Sequence, residues 1–507
     1  MNPLLLVDSY KVHHTRMYPD GMTLLYSNFT PRKSRIPGID KVVVFGLQHF
    51  IKKYLLGKFN SDFFDRPLNE VIDEYKFAVD VDTQHIIDLH TLGYLPLEIK
   101  ALPEGTKCPI GVPLLTIKNT HPDFGWLVNY LETLISCQLW QPITSATIAN
   151  SYHEVLTKYA LETTGNADGV QWQGHDFSMR GMSSVESAIL SGMGHLTSFT
   201  GTDTIPAIYA LKNSYNTKEG ELIGTSVPAT EHSVMCMGQK ESEIDTFRRL
   251  LNLYPTGILS VVSDTWNLWD VLTKHLPALK EEILARDGKL VIRPDSGDPV
   301  DIICGLEGKS LEEVYGHDIN SPEYKGVIEL LWDLFGGTIV KGNDGNDYKV
   351  LDSHIGAIYG DSITIDRAKA ICERLKEKGF ASTNIVLGIG SYTYQYNTRD
   401  TFGFAMKATY GEVKLPTTVH MNGDGTYGQD FCIECREIFK DPITDDGTKK
   451  SKKGLLKVID EPHQNRLMVL DQCTWEGEQG GLLQTVFKDG KIIKEYSLQE
   501  IRDRIKG

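Results

Sequence analysis

The chain has 507 residues, 41% of them hydrophobic and 23% charged, with a formal net charge of −15. Its length calls for two or three domains rather than one core, and its composition is that of a globular protein. No apolar run approaches the ~18 residues a membrane span needs, the acidic balance disfavours a broad nucleic-acid surface, and eight scattered cysteines read as reduced thiols of a cytoplasmic protein.

Leu4 to Val7 is too short for a signal-peptide core. Residues 1–165 mix helical and strand patterns, and the turns at PEG and PIG within 95–119 predict a small antiparallel layer. From 166 to 398 the pattern changes. Seven short apolar runs each end in a charged or glycine-bearing cluster followed by a helix-like stretch: HDF (175–177), GTD (201–203), EHS (231–233), SDT (263–265), RPDSG (293–297), YGD (359–361) and GIGS (388–391). The spacing predicts repeated βα units closing an irregular, seven-stranded parallel α/β barrel. Strand ends would then gather His175, Asp176, Asp203, Glu231, His232, Asp264, Arg293, Asp295 and Asp361 at one mouth.

Between RPDSG and YGD the interval is about twice the usual one, and the Gly, Asn and Asp content of 336–349 predicts a surface excursion. After YGD, Ser362 or Thr364 can cap a helix that turns Ile365, Ala368, Ile371, Cys372 and Leu375 inward, with Gly379 as its stop. Residues 399–507 are strand-rich, with a hairpin turn at Lys488–Lys491 and a final helix at SLQEIRDRI. Cys432 and Cys435 suggest half a zinc site, but FCIEC also alternates like a strand and lacks further ligands at metal spacing.

Several motifs carry chemistry. In RPDSG, Asp295 can accept hydrogen bonds from vicinal hydroxyls and Arg293 can meet an anion or carbonyl, while a mutual salt bridge is an equal alternative. Gly388-Ile-Gly390-Ser391 exposes backbone amides of the kind that hold a phosphate. His232 between Glu231 and Ser233, with Asp264 at the next strand end, suits a base or a phosphate acceptor, although an isolated His is more often a satisfied core residue. Phe177 offers either a flat face to an aromatic ligand or core packing. Basic residues gather at 31–33, at Arg399 and Lys407, and from Lys440 to Lys453, as a solvated surface or a site for a small polyanion.

Taken together, DSYK (8–11), HDFSMRG (175–181), GTDT (201–204), PATEHS (228–233), VVSD (261–264), IRPDSG (292–297), TRD (398–400), FKDP (439–442), SKKG (451–454) and TVFKDGK (485–491) resemble the nicotinamide phosphoribosyltransferase family nearly end to end. The resemblance implies an enzyme of NAD salvage that joins nicotinamide to 5-phosphoribosyl 1-pyrophosphate, taken with Mg2+, and couples ATP hydrolysis through a phosphohistidine. It implies a homodimer with shared active sites, and α+β and antiparallel domains from both chain ends beside the barrel. Phe177 and Tyr10 of the other subunit would stack the pyridine ring, Asp203 would accept from the carboxamide, and Arg293 and Arg180 would position the carbonyl and phosphate. Asp295, Gly360 and Asp361 would hold the ribose, and Gly390 and Ser391 the 5-phosphate. From the facing subunit, Arg32, Arg399, Lys407, Lys440 and Lys449 would bind pyrophosphate and ATP. His232 would be the phosphorylated histidine, its ring oriented by Asp264. No resident metal is expected. The sequence departs from the family at Gly356, where some members carry an arginine, at Tyr392 and over 408–436. A nicotinate enzyme of the same fold, a metal-dependent barrel hydrolase using His175, His232, Asp264 and Asp361, and a noncatalytic binding protein are the alternatives.

Overall fold

The computed structural model describes all residues except 80, 307–317, 361, 423, 425, 445–451 and 462–465. It divides into two compact units, each made of separate stretches: Ile148–Tyr209 with Gly220–Tyr396, and Met1–Thr147 with Ala210–Glu219 and Asn397–Gly507. The expected boundary at 165 marks the end of a long helix, Glu132–Thr164, and the change of unit falls inside that helix. Continuous helical hydrogen bonding carries no signal of such a change.

Among its described residues the first unit holds six parallel strands: β1 (Gly174–Asp176), β2 (Gly201–Thr202), β3 (Thr256–Val262), β4 (Asp287–Arg293), β5 (Ile355–Tyr359) and β6 (Ile385–Ile389). Their order is β2-β1-β6-β5-β4-β3. Every residue of β5 is buried, as a strand covered on both faces requires. The seventh expected strand does not form. Residues 225–230 make only isolated bridges, Thr225 with Gly201 and Ala229 with Ser260. Thr202 N–H donates to the Thr225 carbonyl on one side and Thr230 N–H to the Ser260 carbonyl on the other. Pro228, between the bridges, has no N–H to extend a ladder. The curled sheet is therefore six strands plus a bridging segment.

The helix after β5 runs Ile365–Glu377; Thr364 Oγ1 caps it by accepting from Arg367 N–H at 3.2 Å, and Ala368, Ile371, Cys372 and Leu375 face inward. Gly379 follows with φ +75°, the left-handed conformation that ends helices. The excursion before β5 is an antiparallel pair, Gly337–Lys341 with Asp347–Leu351, largely exposed on its first strand.

The second unit is built on a seven-stranded antiparallel sheet that draws on both chain ends. Met22–Thr30 pairs with Ala405–Met421 on one side and with Leu115–Asn119 on the other, and Leu97–Ala101 leads to Gln484–Lys488. Phe29 stacks on Phe404, the residue just before Ala405, with ring centroids 5.4 Å apart, joining residues distant in sequence into one core. Asp489 and Gly490 turn the last hairpin at φ 47° and 72°, and Ser497 with Glu500 forms a capping box for Leu498–Lys506. Cys432 and Cys435 lie within the strand Tyr427–Glu437. No helix among the described residues is long and apolar enough to cross a membrane.

Candidate active site

A cleft of 710 Å³ opens in the first unit, lined among others by Phe177, Arg180, Asp203, Glu231 and Arg293. Phe177, Arg180 and Asp203 come from the segments after strand ends, Arg293 is the last residue of β4, and Glu231 follows the bridging segment. The Arg293 guanidinium lies over the Phe177 ring at 4.6 Å, and the His175 ring sits 4.5 Å from Phe177 at 34°. Phe177 has this place because residue 388 is glycine: a Cβ there would stand 2.8 Å from Phe177 Cδ2. One wall of the cleft is thus an aromatic face backed by a cation.

Asp203 stands on the same cleft. Its Oδ1 accepts from His175 Nε2 at 2.9 Å and from Ser226 Oγ at 2.5 Å. Burial opposes its ionised form, but the His175 and Ser226 hydrogen bonds, with Arg293 nearby, outweigh burial and hold its carboxyl below the usual range. Asp203 does not cap the helix that follows with its side chain; Thr202 Oγ1 accepts from Thr204 N–H there. Beneath it the fully buried Asp176 accepts from Ser178 N–H (2.9 Å), Thr202 Oγ1 (3.2 Å) and Thr204 Oγ1 (2.7 Å), tying together the loops after β1 and β2.

The loop after β4 is anchored by Tyr359, whose hydroxyl donates to the Gly297 carbonyl at 2.8 Å, and Gly297 takes φ +94°. Gly360 leaves room for two side chains: a Cβ would lie 2.6 Å from Asp295 Oδ1 and 2.9 Å from Arg293 Nε. Asp264 departs from its expected role. Its Oδ2 accepts from the Asp295 N–H at 2.7 Å, so the carboxylate braces the Arg293–Gly297 turn rather than the His232 ring. His232, at the start of the helix His232–Met237, has Nδ1 3.2 Å from Thr265 Oγ1 and Nε2 4.0 Å from Asp295 Oδ2. Glu231 instead bonds the Ser233 hydroxyl. Asp361 lies outside the described residues.

After β6, the N–H groups of Gly390 and Ser391 have no acceptor among the described residues. Gly181 packs against this loop so closely that a Cβ would collide with the Ser391 side chain. Tyr392, one of the departures from the family pattern, is exposed and stacks on Tyr396 at 5.5 Å. Gly356 is the second residue of β5, four residues before Gly360, and faces the Lys289 side chain rather than the strand-end mouth.

Tyr10, Arg32, Arg399, Lys407 and Lys440 all belong to the second unit. Lys407 is half-buried; burial lowers its pKa first, and Arg32, Lys440 and Lys11 lower it further against the opposing pull of Glu132. Lys11 Nζ pairs with Glu132 Oε2 at 2.7 Å. Arg32 Nε donates to the Gly403 carbonyl at 3.1 Å, and Arg399 pairs with Asp400 at 3.2 Å. Tyr10 is 60% exposed, with the Lys11 ammonium 5.3 Å from its ring centre. Lys449 lies outside the described residues. Lys11, Glu132 and Ser226 carry no functional signal in the motifs: Lys11 at least sits inside DSYK, whereas nothing local marks the other two. Among the described residues, no group of three or more His, Cys, Asp or Glu side chains is arranged to hold a metal ion; of the four ligands a hydrolase would use, Asp361 lies outside those residues.

A sequence profile described as the nicotinate phosphoribosyltransferase family matches residues 172–425, and one described as nicotinamide phosphoribosyltransferase, N-terminal domain, matches residues 2–99. The chain is 48% identical to a nicotinamide phosphoribosyltransferase of Acinetobacter baylyi, covering 100% of this chain and 97% of that one. To the Mycoplasma pneumoniae protein of the same name it is 37% identical, over 89% and 94%. Among solved structures, the nicotinate-nucleotide pyrophosphorylase of Pyrococcus furiosus superposes with a TM-score of 0.55 at 13% identity, covering 100% of this chain and 95% of that one. Human nicotinic acid phosphoribosyltransferase gives 0.50 at 14%, over 98% and 92%. At such identities these two speak for the fold alone.

Proposed function

The chain belongs to the nicotinate phosphoribosyltransferase family, and from that premise we propose that it is a nicotinamide phosphoribosyltransferase of NAD salvage. It converts nicotinamide and 5-phosphoribosyl 1-pyrophosphate to nicotinamide mononucleotide and pyrophosphate. The observation that carries this reading is the ionised Asp203 beside the Phe177–Arg293 wall. A carboxylate only accepts hydrogen bonds, so it suits a carboxamide NH2 and repels the carboxylate of nicotinate. That same contrast counts against the nicotinate enzyme as the second reading.

The pyridine nitrogen is already a free nucleophile, so the site supplies position rather than a strong base. Phe177 holds one face of the ring, and Tyr10 of the other subunit closes the second. Arg293 and Arg180 orient the carbonyl and the ribosyl phosphate. Asp295, Gly360 and Asp361 hold the ribose hydroxyls, and the Gly390 and Ser391 amides take the 5-phosphate. As the C1–O bond to pyrophosphate breaks, positive charge grows on the ribose and negative charge on the leaving group. Mg2+ brought with the substrate, and Arg32, Arg399, Lys407, Lys440 and Lys449 of the facing subunit, stabilise that departing charge. His232 accepts the γ-phosphoryl group of ATP; its exposed ring, near Thr265 and Asp295, suits a nucleophile better than a core histidine. The protein works in the cytoplasm as a homodimer.

Purified protein assayed in parallel with nicotinamide, nicotinate and quinolinate, each with the sugar pyrophosphate and Mg2+, tests the reading. Nicotinamide should show the highest kcat/KM; a preference for either acid would refute it.

A further inference from the structure

We propose that His175 and Ser226 are positioning residues that set the choice of amide over acid, by fixing Asp203 with one carboxylate oxygen occupied and the other open to the ligand. The inference rests on the functional reading above and deepens it. Asp203 Oδ1 receives both donors, His175 Nε2 at 2.9 Å and Ser226 Oγ at 2.5 Å. Oδ2 receives none among the described residues, and the side chain is 43% exposed on the cleft. Rotating the carboxylate would break two hydrogen bonds to a charged acceptor, each stronger than a neutral one.

Both donors are themselves held by the local fold. The His175 ring lies so close to the β2 backbone that a Cβ on Gly201 would stand 2.7 Å from Nδ1. The ring also rests against Phe177, with centroids 4.5 Å apart. One imidazole therefore touches the wall that takes the pyridine ring and the carboxylate that reads its substituent. Ser226 sits on the bridging segment, next to Thr225, which pairs with Gly201. Pro228 keeps that segment out of the ladder, so its side chains are not bound to strand alternation and Ser226 can turn toward Asp203.

These contacts give His175 a role that packing alone does not. With His175 present, the open oxygen stays aimed into the cleft and ionised. Without it, the carboxylate is free to turn, and the contact with the substrate NH2 is lost while the repulsion of an acid weakens.

Steady-state kinetics for nicotinamide and nicotinate decide the matter in the wild type, His175→Ala, His175→Gln, Ser226→Ala, Asp203→Ala and the His175→Ala/Asp203→Ala double variant. His175→Ala should lower the nicotinamide-to-nicotinate ratio of kcat/KM by roughly 10- to 100-fold, the span expected for a lost hydrogen bond to a charged group. The change should come mainly as a higher nicotinamide KM. Glutamine, whose amide can donate from a similar reach, should recover most of the ratio, and Ser226→Ala should shift it in the same direction but less. In the Asp203→Ala background, His175→Ala should change the ratio no further. An unchanged ratio in a folded His175→Ala, or an equal loss with and without Asp203, would overturn the proposal while leaving the functional reading intact. A wild-type enzyme that prefers nicotinate would overturn the reading itself.

Discussion

Asp203 has one oxygen engaged before any ligand arrives, so replacing it with asparagine changes the face shown to the substrate more than the fold around it. Asparagine Oδ1 can keep both donors, which turns its NH2 into the cleft and reverses the hydrogen-bond preference. Asp203→Asn should weaken nicotinamide use and raise relative nicotinate use, measured as the ratio of kcat/KM; an unchanged ratio in a folded variant would move selectivity elsewhere in the pocket. Gly360 is constrained by contact. Its missing Cβ leaves room for Asp295 and Arg293, and an added methyl must displace the two groups proposed to hold substrate, at a cost of about 1–3 kcal/mol. Gly360→Ala should therefore raise the KM for the sugar pyrophosphate roughly 5- to 150-fold while the melting temperature changes little; wild-type kinetics would show that the two side chains yield. For His232, alanine should abolish ATP hydrolysis and its coupling while nicotinamide mononucleotide synthesis remains measurable. Acid-labile phosphate on the His232→Ala protein would place the phosphoryl acceptor elsewhere.

Elements were legible where their signals are local. Thr364, the inward residues of Ile365–Glu377 and Gly379 lie within one short stretch, and cap, face and stop all form as their chemistry dictates. The run before EHS failed as a strand for an equally local reason, since Pro228 removes a donor that apolar patterning does not count. The antiparallel sheet was legible only in outline. The sequence shows only that both chain ends contain strands; the pairing of Met22–Thr30 with Ala405–Met421 rests on contacts such as Phe29 with Phe404 that no local pattern encodes. The turn of Asp264 toward the Asp295 amide was hidden in the same way: chain order places Asp264 near His232, and only the three-dimensional loop decides which donor it meets. The helix Gln84–Leu92 carries a further consequence. Burial pulls the His85 pKa down to about 4 against the opposing effect of Asp82 and Asp88. Its ring packs edge-on to Trp126 at 4.9 Å, and its Nε2 has no partner among the described residues. A histidine kept neutral by the fold supports stability above its unfolded value of 6.5, and that support is lost as pH falls from 6.5 toward 4. His85→Phe should flatten the fall in melting temperature over that window; an unaltered pH profile would show that His85 does not titrate with unfolding.

At the scale of the whole molecule, the proposed active-site residues divide by unit. Phe177, Asp203, Arg293 and Asp295 belong to one, and Tyr10, Arg32, Lys407 and Lys440 to the other. The second set already forms a local cationic group, in which Arg32, Lys440 and Lys11 each lower the pKa of Lys407. Glu132 offsets part of this crowding of like charges around a half-buried lysine, and a further anion such as pyrophosphate leaving the ribose would offset more of it. If each active site takes its ring wall from one subunit and its exposed tyrosine and cations from the other, two different lesions can complement. Tyr10→Ala damages the contribution made to the partner's site, whereas Asp295→Ala damages the subunit's own. A mixed dimer then contains one site with both lesions and one with neither. Random exchange between equal amounts of the two inactive proteins should give about half mixed dimers, each with one intact site, and so restore roughly a quarter of wild-type activity per site. Subunit exchange can be followed with differently tagged chains while nicotinamide mononucleotide formation is measured. No recovery despite confirmed exchange would mean that Tyr10 and Asp295 act in the same site of the same chain, and the shared-site reading would fall.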